Sequence, residues 1–349
     1  MTDTSDRKNR SAGSPIRPSS VRIDTCSLCQ LRCPLCQAIG HETSIIGRGA
    51  LQFDYFRELV HRNPWIKKVE LGNFGEVFLN KDLPRILLFA HEKGIVTEID
   101  EGANLNNASD EALEALVLGR TNRLRCAIDG VTQAVYEKYR IGGSLKKVIR
   151  NIEKINALKE RCKSPFPRLV LQCIIFPHNA HQVDRVSLLA RMLNMEVDYK
   201  LDCLSRGIQS GDSGIARGIT GYADRDEYLN HEKRHYMRHL CHDLWHSPQI
   251  NWDGKLLGCS RNIWLAFADN VFEGDLLDHF NNEKMVYARA MLLGHRPPRN
   301  DLPCIHCGVF ASMLQYDNWI SEHELSGLRK EKLPIRRTVY AEKTLIIPA

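Results

Sequence analysis

The stretch Cys26-Ser-Leu-Cys-Gln-Leu-Arg-Cys-Pro-Leu-Cys36 decides how the rest of the chain is read. It contains Cys29-x3-Cys33-x2-Cys36, three thiols within eight residues on a loop that carries Pro34. Thiols that close can converge on one metal centre, and soft thiolates select iron–sulfur clusters or zinc. Three ligands suit a cubane cluster whose fourth iron stays open to a substrate or cofactor. The same stretch also reads as two C-x2-C pairs, Cys26/Cys29 and Cys33/Cys36, of the kind that hold zinc. Only three residues separate those pairs, which leaves little room for two knuckles. The order and spacing do not match a bacterial ferredoxin run.

Composition narrows the setting. The chain has 349 residues and 43% hydrophobic content, enough for one large domain and a smaller one. A net charge of +6, spread along the chain, suits an anionic substrate better than nucleic acid. No apolar run reaches transmembrane length, so no membrane contact is expected. The N-terminus lacks a signal-peptide core, and twelve cysteines then argue for reduced, metal-binding thiols in the cytoplasm.

Outward from the cysteine loop, short apolar runs alternate with helical patterns. Residues 1–20 are polar and Ser/Pro-rich and read as a disordered tail. From 21 to 203, strands are expected at Val21–Thr25, Lys68–Gly72, Thr97–Asp100, Arg123–Ile128, Arg168–Phe176 and Glu196–Leu201. Helices are expected at Phe53–Arg62, Asp82–Glu92, Ser109–Leu118, Leu145–Arg161 and His181–Leu193. Such alternation implies an α/β fold with a parallel sheet, a partial (β/α)6 barrel of the TIM type. Ligands of such sheets sit at the carboxyl ends of the strands, where the cysteine loop lies. Residues 204–235 begin with a Gly/Ser-rich run and read as a linker or active-site loop.

C-x3-C-x2-C after a first strand resembles the signature of radical S-adenosylmethionine (SAM) enzymes. The resemblance implies a site-differentiated 4Fe-4S cluster on Cys29, Cys33 and Cys36, with SAM chelated to its open iron. SAM cleavage there yields a 5'-deoxyadenosyl radical that takes a substrate hydrogen, and a flavodoxin or ferredoxin supplies the electron. Leu71-Gly-Asn-Phe-Gly-Glu-Val-Phe-Leu-Asn80 is similar to the family's GGEP-type motif. It implies close backbone approach at Gly75 and an acceptor for the SAM ammonium in Glu76; Val77 replaces the usual proline. Cys126-Ala-Ile-Asp-Gly130, Val135–Arg140 and Gly142-Gly143 resemble a further family run. That match implies cofactor contacts from Asp129 and a carboxylate clamp in Arg140. Ala127 stands where the family commonly has Ser, and Leu35 where many relatives have an aromatic. Glu98-Ile-Asp-Glu-Gly102 places three carboxylates near the rim, either around a substrate or on a solvated turn. Gln172 and Cys173 lie on opposite faces of the fifth strand, with Asn179 beyond them. Cys203, past the sixth strand, is a speculative hydrogen-atom donor, while Cys26, Cys126 and Cys162 read as structural.

The last third carries Cys241, Cys259, Cys304 and Cys307. Ser247–Gly258 reads as a hairpin with an Asp-Gly turn that draws its flanking cysteines together. A helix is expected at Asp275–Met291. This arrangement, over residues 236–312, resembles the twitch domain, the shortened SPASM module whose cysteines hold an auxiliary 4Fe-4S cluster. Four cysteines on a structural zinc is the competing reading. The spacing is similar to that of aminocyclitol radical SAM dehydrogenases. The expected function is therefore an oxidoreductase acting on a hydroxyl of a sugar- or aminocyclitol-like small molecule, with the second cluster as electron acceptor. The alternative is a radical SAM enzyme that epimerises, crosslinks or decarboxylates a ribosomal peptide. A zinc-binding interaction protein is the non-catalytic reading. Residues 313–349 read as a helix, Asn318–Lys332, and a basic tail.

Overall fold

The computed structural model describes residues 15–36, 45–202 and 213–327. Every expected strand forms: β1 (Ser20–Ile23), β2 (Lys68–Leu71), β3 (Val96–Ala103), β4 (Arg123–Ala127), β5 (Arg168–Ile175) and β6 (Glu196–Leu201). They pair in parallel in the order β6-β5-β4-β3-β2-β1, and the sheet does not close. Alternate residues such as Val21, Ile23, Val69, Leu71, Leu124 and Cys126 are fully buried in one core with the crossover helices. These helices are α1 (Phe53–Arg62), α2 (Leu83–Glu92), α3 (Asp110–Leu118), α4 (Gln133–Tyr139), α5 (Leu145–Arg161) and α6 (Val183–Met192). Ser109 is the N-cap of α3 rather than its first residue. Its extended backbone lets the hydroxyl accept from Ala112 N at 3.1 Å. Asp82 likewise stands outside α2 and accepts from Phe53 N at 2.9 Å.

The other face of the sheet is lined by charge. Arg22 pairs with Glu70 at 2.9 Å and with Glu101, and Arg125 pairs with Asp100 at 2.8 Å and with Asp198. Arg125 is fully buried. The carboxylates of Glu98–Gly102 thus belong to a strand rather than a turn. Glu98 meets Lys68 at 2.5 Å, and all three are held by cations of the barrel. Strand pairing of β3 with both neighbours overrides the turn signal of the acidic run.

The chain then enters α7 (Ser213–Thr220) and α8 (Arg225–Glu232), so most of the described part of the expected linker is helical. A short α9 (Asp243–His246) leads to β7 (Gln249–Ile250) and β8 (Leu256–Gly258), the expected antiparallel hairpin. Gly254 supplies the positive φ, +91°, at its Asp-Gly turn. The hairpin does not stand apart. β7 pairs in parallel with β1, Arg22 opposite Gln249 and Ile23 opposite Ile250, and so extends the barrel sheet over its β1 edge.

The single helix expected at Asp275–Met291 is two, α10 (Leu276–Phe280) and α11 (Glu283–Leu292). Asn282 breaks them by capping α11, accepting from Met285 N at 2.9 Å. Asn281 exchanges hydrogen bonds with the backbone of Ile16 at 2.8 and 3.0 Å, so residues 15–20 are part of the fold rather than of the tail. α12 (Gly308–Tyr316) ends at Asp317, whose φ is +49°, and α13 (Glu322–Gly327) begins only after a Ser321 cap. The C-terminal helix therefore starts later than Asn318, and its expected end at Lys332 lies outside the described residues. Among the described residues no helix is long and apolar enough to cross a membrane.

Candidate active site

The cysteine loop leaves β1 at the carboxyl end of the sheet. Cys29, Cys33 and Cys36 gather against Leu31, Leu35, Tyr139 and Phe176. Leu35 offers no ring, but Tyr139 and Phe176 supply two, with centroids 4.4 Å apart. Three donors point at the sulfurs: Leu31 N to Cys29 at 3.4 Å, Asn104 Nδ2 to Cys29 at 4.0 Å, and Arg140 Nη1 to Cys33 at 3.7 Å. Burial pushes the Cys29 thiol up to about 12 and raises Cys33, with the neighbouring thiols adding to the effect. Buried thiols that repel as anions, with N–H donors aimed at sulfur, are the donor set a cationic cluster needs.

Gly75 makes this loop possible. Its φ is +75°, and a Cβ there would lie 2.4 Å from Cys26 O and 2.5 Å from Ser27 C. The close approach foreseen for Gly75 is thus first to the cysteine loop, and Glu76 N donates to Leu28 O at 2.7 Å beside it. Glu76 accepts from Phe78 N at 3.2 Å and Asn104 N at 2.8 Å, which ties the motif loop to the segment after β3. Burial pushes its carboxyl up to about 7, although both N–H groups pull the other way. Each oxygen keeps a lone pair for an ammonium. Arg140 Nε donates to Asp129 Oδ2 at 2.5 Å, which leaves Nη2 for an external carboxylate. Asp129 is fully buried and also accepts from Ile174 N at 2.8 Å. Ala127 lies beside Gly102 and Gln172 on the lumen side. Gln172 therefore faces the lumen, and Cys173 is buried among the helices. Asn179 is used structurally, donating to Asp129 O and Ile174 O at 3.0 and 2.8 Å.

Cys241, Cys259, Cys304 and Cys307 line one apolar cavity with Leu244, Trp264, Phe267 and Phe310. Burial raises Cys241 and Cys304 well above the ordinary thiol value and Cys259 to about 12, each with further push from the other thiols. The donors thus fit a cluster here too. Among the described residues no three His, Cys, Asp or Glu side chains close on a single-ion site. Cys26 and Cys126 are buried in the core, Cys162 is exposed at the end of α5, and Cys203 lies outside the described residues.

Between the two thiol sets lies a cavity of about 170 Å³, walled by Cys36, Asn73, Phe74 and Glu101 on the barrel side and by Ser260 and Arg261 on the other. Asn73 Nδ2 bridges the wall to Ser260 O at 2.9 Å. A larger cavity, about 870 Å³, opens beside Ser20 and Lys68 at the opposite end of the strands and has no thiol in its wall. Ligands of parallel α/β sheets bind at the carboxyl ends, so the smaller cavity is the candidate site. Asn73, Asn104 and Arg261 were not singled out from sequence. Asn104 was within reach of such reading, two residues past the acidic run, whereas Arg261 stands in no recognisable pattern.

A parallel six-strand sheet that carries a three-thiol loop after its first strand is the fold of radical SAM enzymes, and the chain has it. No protein-family model matches the sequence, and no curated protein sequence does. Solved structures do match. Streptococcus suis SuiB bound to precursor peptide SuiA superposes with a TM-score of 0.61 at 13% identity, over 95% of this chain and 78% of that one. SuiB bound to S-adenosylmethionine gives 0.57 at 13% identity, over 87% and 72%. Native anSMEcpe with bound AdoMet gives 0.53 at 14% identity, over 83% and 86%.

Proposed function

We propose that the chain is a cytoplasmic radical SAM oxidoreductase that oxidises a hydroxyl of a small polar molecule of the sugar or aminocyclitol kind. The observation that carries this reading is the cavity whose wall holds Cys36 on one side and the neighbours of Cys259 on the other. When bound, SAM with a 4Fe-4S cluster on Cys29, Cys33 and Cys36 supplies a hydrogen-abstracting radical, and a second cluster on Cys241, Cys259, Cys304 and Cys307 accepts one electron. The protein's part is placement. Glu76 and Arg140 hold the amino and carboxylate ends of SAM, and Asp129 fixes Arg140. Glu101 is kept ionised: burial opposes this, but Arg22 and Lys200 outweigh it. Its carboxylate accepts from a substrate hydroxyl in the cavity. The apolar walls around Cys241 and Cys304 exclude water from the second site. An electron enters from a flavodoxin or ferredoxin.

A second reading, modification of a ribosomal peptide, is favoured by the fold shared with SuiB, solved with its precursor peptide. Cys203 as hydrogen-atom donor belongs to that reading. The deciding experiment measures iron and sulfide per chain after anaerobic reconstitution, beside a Cys29/Cys33/Cys36→Ala variant. Two cubanes give about eight irons in the parent and about four in the variant. Stoichiometric zinc without iron refutes the enzyme, and about four irons in the parent with none in the variant refutes the electron relay.

A further inference from the structure

Among the described residues, the cavity between the thiol sets is lined by one cation, Arg261, that pairs with no carboxylate. Arg261 lines it together with Cys36, Asn73, Glu101, Leu240 and Ser260. Among the described residues the guanidinium forms no ion pair, and its Nε is buried without a hydrogen-bond acceptor. Other arginines of the barrel interior, Arg22 and Arg125, each engage two carboxylates. A buried donor left unmet opposes folding unless a ligand meets it. The backbone beneath Arg261 is also held in place. Ser260 N and Oγ both donate to Asp243 Oδ2 at 3.1 Å, and Ser260 O accepts from Asn73. Side-chain freedom is therefore the only freedom left to the guanidinium. The opposite wall carries Glu101, already neutralised by Arg22, so it repels an anion little. A planar, always-charged fork fits the paired oxygens of a carboxylate or phosphate.

We propose that Arg261 anchors an anionic group of the substrate, which is thus a small hydroxylated carboxylate or phosphate ester with its hydroxyl toward Glu101. The inference rests on the functional reading above and adds the substrate's charge and the residue that selects it. A cavity of about 170 Å³ admits a small molecule, below the ~300–1,000 Å³ of drug-sized pockets.

The test is a calorimetric titration of the reconstituted full chain, in the presence of SAM, with glucose, glucuronate and glucose 6-phosphate. The parent is expected to bind at least one anionic sugar about tenfold or more tighter than glucose, a difference of ~1.4 kcal/mol. Which anion wins separates carboxylate from phosphate. Arg261→Gln is expected to lose the preference while binding glucose as the parent does, and Arg261→Lys to keep part of it. A smaller preference in the parent, or one that survives in Arg261→Gln, overturns the proposal. Iron per chain is counted in all three proteins. If the iron count fails but the anion preference depends on Arg261, the two-cluster reading falls and the anchor stands. If the count holds and the preference is absent, the anchor alone falls.

Discussion

Gly75→Ala tests whether the motif loop shapes the cysteine loop through backbone contact alone. Two costs apply. A side chain at φ +75° costs roughly 1–2 kcal/mol, the penalty of left-handed backbone for an L-residue. The new Cβ would also sit 2.4 Å from Cys26 O, 2.5 Å from Ser27 C and 2.7 Å from Ser27 Cα. All three are backbone atoms, so no rotamer change relieves the overlap, and ordinary contact begins near ~3.5 Å. The cysteine loop must shift by about 1 Å, at an overpacking cost of roughly 1–3 kcal/mol. The sum is about 2–5 kcal/mol. Gly72→Ala is the internal control. Its φ is +96°, but its Cβ would meet only Val77 Cβ at 3.7 Å, so it carries the backbone cost alone. Urea unfolding of the metal-free chain should place Gly75→Ala below Gly72→Ala by about 1–3 kcal/mol. After reconstitution Gly72→Ala should hold its full iron, and Gly75→Ala should lose about four of about eight. Equal stability of the two variants with equal iron would refute the argument.

Three further outcomes follow from the charge network. Asp129→Asn leaves the Arg140 guanidinium buried without its counter-charge and should cost about 3–5 kcal/mol in urea unfolding. An Asp129→Asn/Arg140→Met double variant should recover part of that loss. Arg125→Met leaves Asp100 and Asp198 without their shared buried cation and should cost about 3–5 kcal/mol in urea unfolding, and an unchanged midpoint would count against the pairing. For Glu324, burial works against ionisation, but Arg238 and the Ser321 N–H pull its carboxyl down to about 2. A depressed carboxylate stabilises above its unfolded value and loses that contribution as pH falls through the folded one. Glu324→Gln should therefore be about 1–2 kcal/mol less stable at pH 6, allowing for solvent screening at this partly open position. That gap should close as pH drops from about 4.5 toward 2, and a gap independent of pH would count against the ion pair.

Local pattern made the strands and the flanking helices legible, because period-two and helical periodicities survive in each short run. Arg161 ends its helix where expected, and Glu196–Leu201 is the strand foreseen. Partner choice was not legible. Arg125 and Asp198 are separated by 73 positions, and nothing local announces that they meet. The acidic run Glu98–Gly102 looked like a rim because its counter-ions, Arg22, Lys68 and Arg125, sit on three other strands. The four late cysteines were visible as a set, yet the attachment of their hairpin was not. A two-residue strand, Gln249–Ile250, is too short to carry a pattern, and it is this strand that joins the barrel. Arg261 escaped for a related reason, since its importance comes from a cavity formed by segments far apart in the chain.

That short strand also governs how the two thiol sets stand to one another. The Cys29 loop continues directly from β1, and Cys259 follows β8, which pairs with β7, which pairs with β1. Arg22 N donates to Pro248 O at 3.1 Å and Asp24 N to Ile250 O at 2.9 Å, extending this seam toward the cysteine loop. Both sets are therefore referenced to one continuous ladder of backbone hydrogen bonds, and the Asn73–Ser260 contact closes the far side of the gap. Backbone ladders hold their spacing without help from side chains. Substituting a cavity residue such as Arg261 or Glu101 should thus alter what the gap binds while leaving its width unchanged. Substituting Gly75 acts on the ladder side and moves the thiols themselves. The two kinds of variant separate recognition from cluster placement within a single fold.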